Sequence, residues 1–158
     1  MIGVTMSPGT PIPRQEVAVK ARDIMHRSAE CIPADETLDR AAQLMRNMDV
    51  GALPICEGDT LIGMLTDRDI VVHCVAMGHD PSRVRAGDLA QGRVWSVDVD
   101  TDMSTVLDVM ERNQIKRMPV LDMRKGNQLA GMICESDLAK NIDDRKLAEF
   151  ITAVAVPH

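Results

Sequence analysis

Aromatic side chains are almost missing from this chain, with one Trp, one Phe and no Tyr among 158 residues. Single-stranded nucleic acid binds on stacked aromatic platforms, so that class of partner loses its main recognition device. Basic charge is also short. Eighteen Lys and Arg stand against 24 Asp and Glu, a formal net charge of −6, which offers no positive field to a phosphodiester backbone. No apolar run approaches the roughly 20 residues that span a bilayer, and the N-terminus lacks the apolar core of a signal peptide. A cytoplasmic location away from membranes is therefore expected. Four cysteines, none in C-x-x-C spacing, are too few for a disulfide scaffold.

Catalytic signatures are missing as well. His26, His73, His79 and His158 are scattered, without i, i+4 pairing or Cys/His spacing for a metal. No Gly-x-Ser-x-Gly elbow, Walker loop or Gly-x-Gly-x-x-Gly occurs. Cys56 and Cys134 have no paired base in the sequence that would make either a nucleophile. Acid pairs such as Asp67/Asp69 and Asp143/Asp144 read as caps and helix-end charges. The expectation is a non-enzyme with no catalytic or metal residues.

What the chain does have is a hydrophobic fraction of 45% carried in part by 12 Met, enough for a substantial core of adaptable side chains. It also has an internal repeat, the feature to settle before any other. A shift of 65 residues carries Asp23-Ile24-Met25 onto Asp88-Leu89-Ala90, Cys31-Ile32 onto Ser96-Val97, and Leu53-Pro54-Ile55 onto Met118-Pro119-Val120. After a loop three residues longer in the second copy, Gly63-Met64-Leu65 falls on Gly131-Met132-Ile133 and Asp69-Ile70 on Asp137-Leu138.

Each copy reads β-α-β-β-α. A short strand is expected near 30–32 and 94–97, and a helix over 37–48 and 102–113. Leu38, Ala41, Ala42, Met45 and Met48 fall at helical spacing in the first helix; Met103, Val106, Leu107 and Met110 do so in the second. Two apolar strands follow (53–56 with 61–65; 118–121 with 128–133), split by turns at Gly58 and Gly126, and a second helix ends each copy (67–77; 135–142). One copy is too small to cover its own sheet, so the two should pack on each other. The boundaries read as a disordered tail over 1–18, a first repeat over 19–81, a second over 82–143, and a charged C-terminal helix and tail over 144–158. The charges of that last helix read as an ordinary solvated face.

The stretch from Gly63 to Ile70 places an apolar strand directly before a helix start, with Thr66 at the junction and Asp69 three residues on. Unpaired N–H groups there attract phosphate, and a nearby acid accepts from ribose hydroxyls. Helix capping by Thr66 and Asp69 explains the same residues equally simply.

Two β-α-β-β-α copies, each ending Gly-x-x-x-x-x-Asp and each carrying a mid-repeat Pro, resemble a tandem pair of CBS domains, a Bateman module. The resemblance covers about residues 20–143. The runs from Gly51 to Cys56 and from Gly63 to Val71 are similar to the stand-alone hypoxic-response CBS-pair proteins of mycobacteria and relatives. The resemblance implies an α/β (α+β) fold with two repeats packed about a pseudo-twofold axis, a disc-like homodimer through the repeat helices, and two clefts for an adenosine ligand. AMP, ADP, ATP, S-adenosylmethionine and NAD are the candidates, none an obligatory cofactor, and the bound state would signal to a regulated partner protein.

Carried over by position, Asp69 and Asp137 would hold ribose hydroxyls and Thr66 would meet phosphate. Ala52, Leu53 and Pro54 would flank the base in one copy, and Met118 and Pro119 in the other. Cys134 stands where Thr66 does in the first copy, Ser136 replaces Arg68, and Lys116 and Arg117 replace Gly51 and Ala52. Arg68 can pair with phosphate through parallel bonds and a thiol donates weakly. The clefts are therefore expected to be unequal by roughly 2–4 kcal/mol, the first copy's motif binding better. The alternative is a stress-related structural or interaction module with vestigial clefts. Cys31 and Cys56 fall on adjacent parallel strands of the first copy, where a bridge is geometrically allowed; a reducing cytoplasm favours two buried thiols.

Overall fold

A computed structural model describes residues 9, 17–27, 30–90 and 94–155. Most of the segment read as a disordered tail lies outside the described residues, as do 91–93 and the last three. In chain order the elements are helix α1 (Ala21–Ile24), α2 (Leu38–Met48), strands β1 (Ala52–Glu57) and β2 (Thr60–Thr66), and α3 (Asp67–Ile70). A π-helical turn over Val71–Val75 follows α3, and then come α4 (Ala86–Leu89), β3 (Val97–Asp98), α5 (Met103–Asn113) and β4 (Arg117–Asp122). A 3-10 turn (Met123–Lys125), β5 (Gln128–Cys134), α6 (Glu135–Ala139) and α7 (Asp144–Val154) complete the chain.

The five strands form one sheet in the order β1-β2-β5-β4-β3. Within each copy the hairpin is antiparallel, and a register shift falls at the matching place, Ile55/Cys56 and Val120/Leu121. The halves of the sheet are joined by the single pair Thr60 and Gln128. The strand expected over 94–97 is reduced to β3, parallel to β4. Its counterpart in the first copy is one parallel pairing of Ile32 with Ile55.

A pseudo-twofold axis follows from the hydrogen bonds. The Ala21 N–H donates to Thr101 O and the Arg22 N–H to Val99 O. At the related positions, the Ala86 N–H donates to Glu36 O and the Gly87 N–H to Ala34 O. Each pair maps onto the other by the 65-residue shift. The segment that opens each copy thus packs on the opposite copy. Two cores result. Ala21 and Ile24 of α1 join Val106, Met110, Met118, Ile133 and Leu138 of the second copy, while Ala86 of α4 joins Leu38, Met45, Leu53 and Leu65 of the first. Glycine permits this close approach: a Cβ on Gly131 would lie 2.6 Å from the His26 carbonyl oxygen, and one on Gly63 would lie 3.0 Å from the Ala90 Cβ.

Two expectations are corrected and a third is extended. The helix expected over 67–77 is α-helical only to Ile70, after which the Ala76 N–H reaches back five residues to Val71 O in a π turn. The run Val71-Val72, stiff at χ1 and poor in helix propensity, lies in this widened turn. The charges of the closing helix α7 are exposed, as expected, while its apolar side buries Phe150 and Val154 in the second core. Finally, Cys31 and Cys56 are not thiols. Their sulfurs are bonded, with the Cα atoms 5.5 Å apart. The Ile32 N–H donates to Pro54 O and the Cys56 N–H to Ile32 O, and this parallel pairing sets the two cysteines side by side. Cys56 is buried but Cys31 is exposed.

Candidate functional site

The exchange of opening segments leaves a cleft on each side of the sheet junction, and each draws on both copies. The first, about 360 Å³, is lined by Gly51, Ala52, Leu53 and Pro54 of the first copy. The Cys134–Ser136 turn, Met132 and His26 face them, with Lys116 and Arg117 at the rim. The second, about 240 Å³, is lined by Ile115, Lys116, Arg117 and Pro119 of the second copy, with Met64 and Thr66 opposite and Ala90, Val94 and Trp95 contributed by the segment around α4. Ala52, Lys116 and Arg117 belong to both, so the two cations stand on the wall between the clefts.

The residues singled out from the sequence are thereby redistributed. Thr66 shares a cleft with Pro119 rather than with Leu53 and Pro54, and Cys134 shares one with Leu53 and Pro54. Met118 is fully buried, while Arg68 is exposed; neither lines a cleft. Asp69 and Asp137 sit one layer behind, each tied to the residue at its helix start. The Asp69 N–H donates to Thr66 Oγ1 at 3.1 Å, and Asp69 Oδ2 accepts from the Thr66 N–H at 2.8 Å and its hydroxyl at 2.7 Å. This reciprocal cap fixes the Thr66 side chain at the strand–helix junction beside the second cleft.

Asp137 makes a different set. Its Oδ2 accepts from the Cys134 N–H at 2.9 Å and the thiol at 3.1 Å, and lies 2.8 Å from His26 Nδ1. Burial acts to raise the Asp137 pKa, but the Cys134 N–H, the thiol and His26 together hold it below the ordinary carboxylate range. The carboxyl is therefore anionic at neutral pH. Among the described residues, His26, Cys134 and Asp137 are the one group whose ligand atoms lie close enough to hold a metal ion, all within 4.8 Å of one another.

His26, Met64, Ile115 and Trp95 escaped the sequence reading as cleft residues. Lys116, marked out because it breaks the repeat by replacing Gly51, stands at both clefts. For His26 there was no signal, because its partner Asp137 is 111 residues away and the contact depends on segment exchange.

No helix among the described residues is long and apolar enough to cross a membrane. Comparison with known proteins bears on most of the chain. The Mycobacterium tuberculosis Hypoxic response protein 1 is 42% identical over 138 residues, 87% of this chain and 94% of that protein. A crystal structure of Hypoxic Response Protein I with two coordinated zinc ions is similar with a TM-score of 0.71 and 44% identity, over 79% of this chain and all of that one. The hexameric CBS-CP12 protein from bloom-forming cyanobacteria is similar with a TM-score of 0.69 and 27% identity, over 81% of this chain and 74% of that one. The CBS domain model matches residues 21–75 and again 86–144, the two copies that the internal repeat marks out. The chain belongs to the CBS domain family and carries two of its domains in tandem.

Proposed function

We propose that this chain is a non-catalytic regulatory CBS pair that binds an adenosine-containing ligand and passes the bound state to a partner protein. The observation that carries the reading is the composition of the second cleft. Met64, Ile115, Pro119 and Trp95 supply apolar walls for a base, and Thr66 presents a hydroxyl at a helix start. Lys116 and Arg117 bring positive charge to a chain whose net charge is negative. A concave apolar site with a few convergent polar groups is what a small ligand needs, and the cations favour one carrying phosphate. Such a ligand regulates only by binding two states of the protein unequally. The kinship with the hypoxic response protein favours a stress-related setting, in the cytoplasm.

A thermal-shift screen with AMP, ADP, ATP, S-adenosylmethionine and NAD tests this. A ligand at 100 times its dissociation constant is expected to add about 2.7 kcal/mol of stability, and no shift with any of the five contradicts it. The alternative reading, a structural module with vestigial clefts, is favoured at the first cleft alone, where Cys134 replaces the hydroxyl.

The same proposal includes a homodimer. Val71 and Val75 are each 57% exposed and Met77 is 64% exposed, which leaves an apolar face along and after the π turn that a second copy would cover. Light scattering at micromolar concentration is expected to give twice the chain mass; the mass of one chain contradicts the dimer.

A further inference from the structure

We infer that His26 Nδ1, Cys134 Sγ and Asp137 Oδ2 hold one borderline divalent cation, of which zinc is the type, at the wall of the first cleft. The three donors are an imidazole nitrogen, a thiol and a carboxylate, a mixture suited to zinc-like ions and poorly suited to calcium or magnesium, which take oxygen ligands. Their positions are fixed by backbone. His26 exchanges two hydrogen bonds with Met132, its N–H to Met132 O at 2.9 Å and the Met132 N–H to its own carbonyl at 3.0 Å. Cys134 lies two residues further along β5 and Asp137 in the first turn of α6.

The internal repeat provides a second, independent argument. Thr66 and Asp69 occupy the places of Cys134 and Asp137, and the residue 65 positions after His26 is Gln91. Both departures of the second site bring a nitrogen or sulfur donor to the same carboxylate. One of two quasi-equivalent sites is thus a metal set and the other is not.

Three protein ligands leave one tetrahedral position for water or for an anionic group entering the cleft. The hydrogen bonds that now hold the donors together give way as the ion enters. The thiol proton passes to solvent as the sulfur–metal bond forms, and His26 carries its remaining proton on Nε2. No change of oxidation state is involved. The ion engages Asp137, which removes the ribose acceptor from the first cleft and leaves the adenosine ligand to the second. That last consequence rests on the proposed function; the metal site itself does not.

The test is a cobalt(II) titration of the full chain, stripped of metal with chelator and kept free of thiol reductant so that the Cys31–Cys56 bridge stays closed. One cobalt per chain is expected, with a thiolate-to-cobalt charge-transfer band that an equivalent of zinc abolishes. Cys134→Ser is expected to remove the band and weaken zinc binding roughly 100-fold or more. His26→Gln weakens it too, and the exposed His73→Gln leaves it unchanged. The absence of a thiolate band in the wild-type chain overturns the inference without reference to any variant. So does a band that persists in Cys134→Ser, provided circular dichroism shows that variant folded. Nucleotide binding without the band sinks the metal site and spares the proposed function; the band without nucleotide binding does the reverse.

Discussion

Opening the Cys31–Cys56 bridge is expected to lower stability by about 3–4 kcal/mol, the loop-closure entropy of a cross-link across a sequence separation of 25 residues. Little offset from repacking is expected, because backbone hydrogen bonds also pair this segment with β1. Cys31 is exposed, so a reductant can reach the bond without prior unfolding. Urea denaturation with and without reductant, and of Cys31→Ala with Cys56→Ala, measures the effect. Equal midpoints in the oxidised and reduced chains would show that the bridge stabilises nothing.

Phe150→Ala is expected to cost about 3–5 kcal/mol, the loss of a fully buried ring plus the cavity it leaves. Phe150 is the one phenylalanine in the chain and has no exposed surface. It holds α7 against the second core, where Val106, Met110 and Leu138 surround the same interior. For a chain of this size the melting temperature should fall by roughly 10 °C or more. Asp143 still caps the helix by accepting from the Lys146 N–H at 2.8 Å, so the helix can form locally and still fail to dock. An unchanged melting temperature would mean that α7 contributes no packing to the fold.

The sequence carried the fold well, for identifiable reasons. A duplication keeps register through Pro54 and Pro119, Gly63 and Gly131, and Asp69 and Asp137, and register is what places strands and helices. It even set Cys31 beside Cys56, since a parallel crossover dictates that adjacency; the bond itself is outside what periodicity reports. The exchange of opening segments was not legible. Asp23 matches Asp88 whether each segment packs on its own copy or on the other, because a symmetric swap leaves the internal alignment unchanged. The composition of the clefts depends on that swap and on the sheet junction, so the meeting of Thr66 with Pro119 in one cleft was not legible. His26 was read as scattered. The π turn was hidden for another reason: Val71, Cys74 and Val75 satisfy helical spacing, and the distinction lies in one hydrogen bond from Ala76.

The Thr66 cap and the Asp137 cluster show how the same motif diverges when the capping side chain changes. In the first copy a hydroxyl both accepts from and donates to the aspartate and remains a hydrogen-bonding group at the cleft. In the second a thiol takes its place, and the aspartate gains an imidazole neighbour at 2.8 Å. The two copies therefore keep a shared fold while their clefts present different polar groups.

The central claim, that an adenosine ligand binds through the first copy's motif, is tested most directly by calorimetric titration. AMP, ATP, S-adenosylmethionine and NAD are each titrated into the wild-type chain, Asp69→Ala and Asp137→Ala, with circular dichroism confirming that both variants fold. The account expects at least one of the four to bind the wild type, the tighter event to disappear in Asp69→Ala, and the same event to survive in Asp137→Ala. Loss of that event in Asp137→Ala with retention in Asp69→Ala, or no binding heat from any of the four, would contradict it.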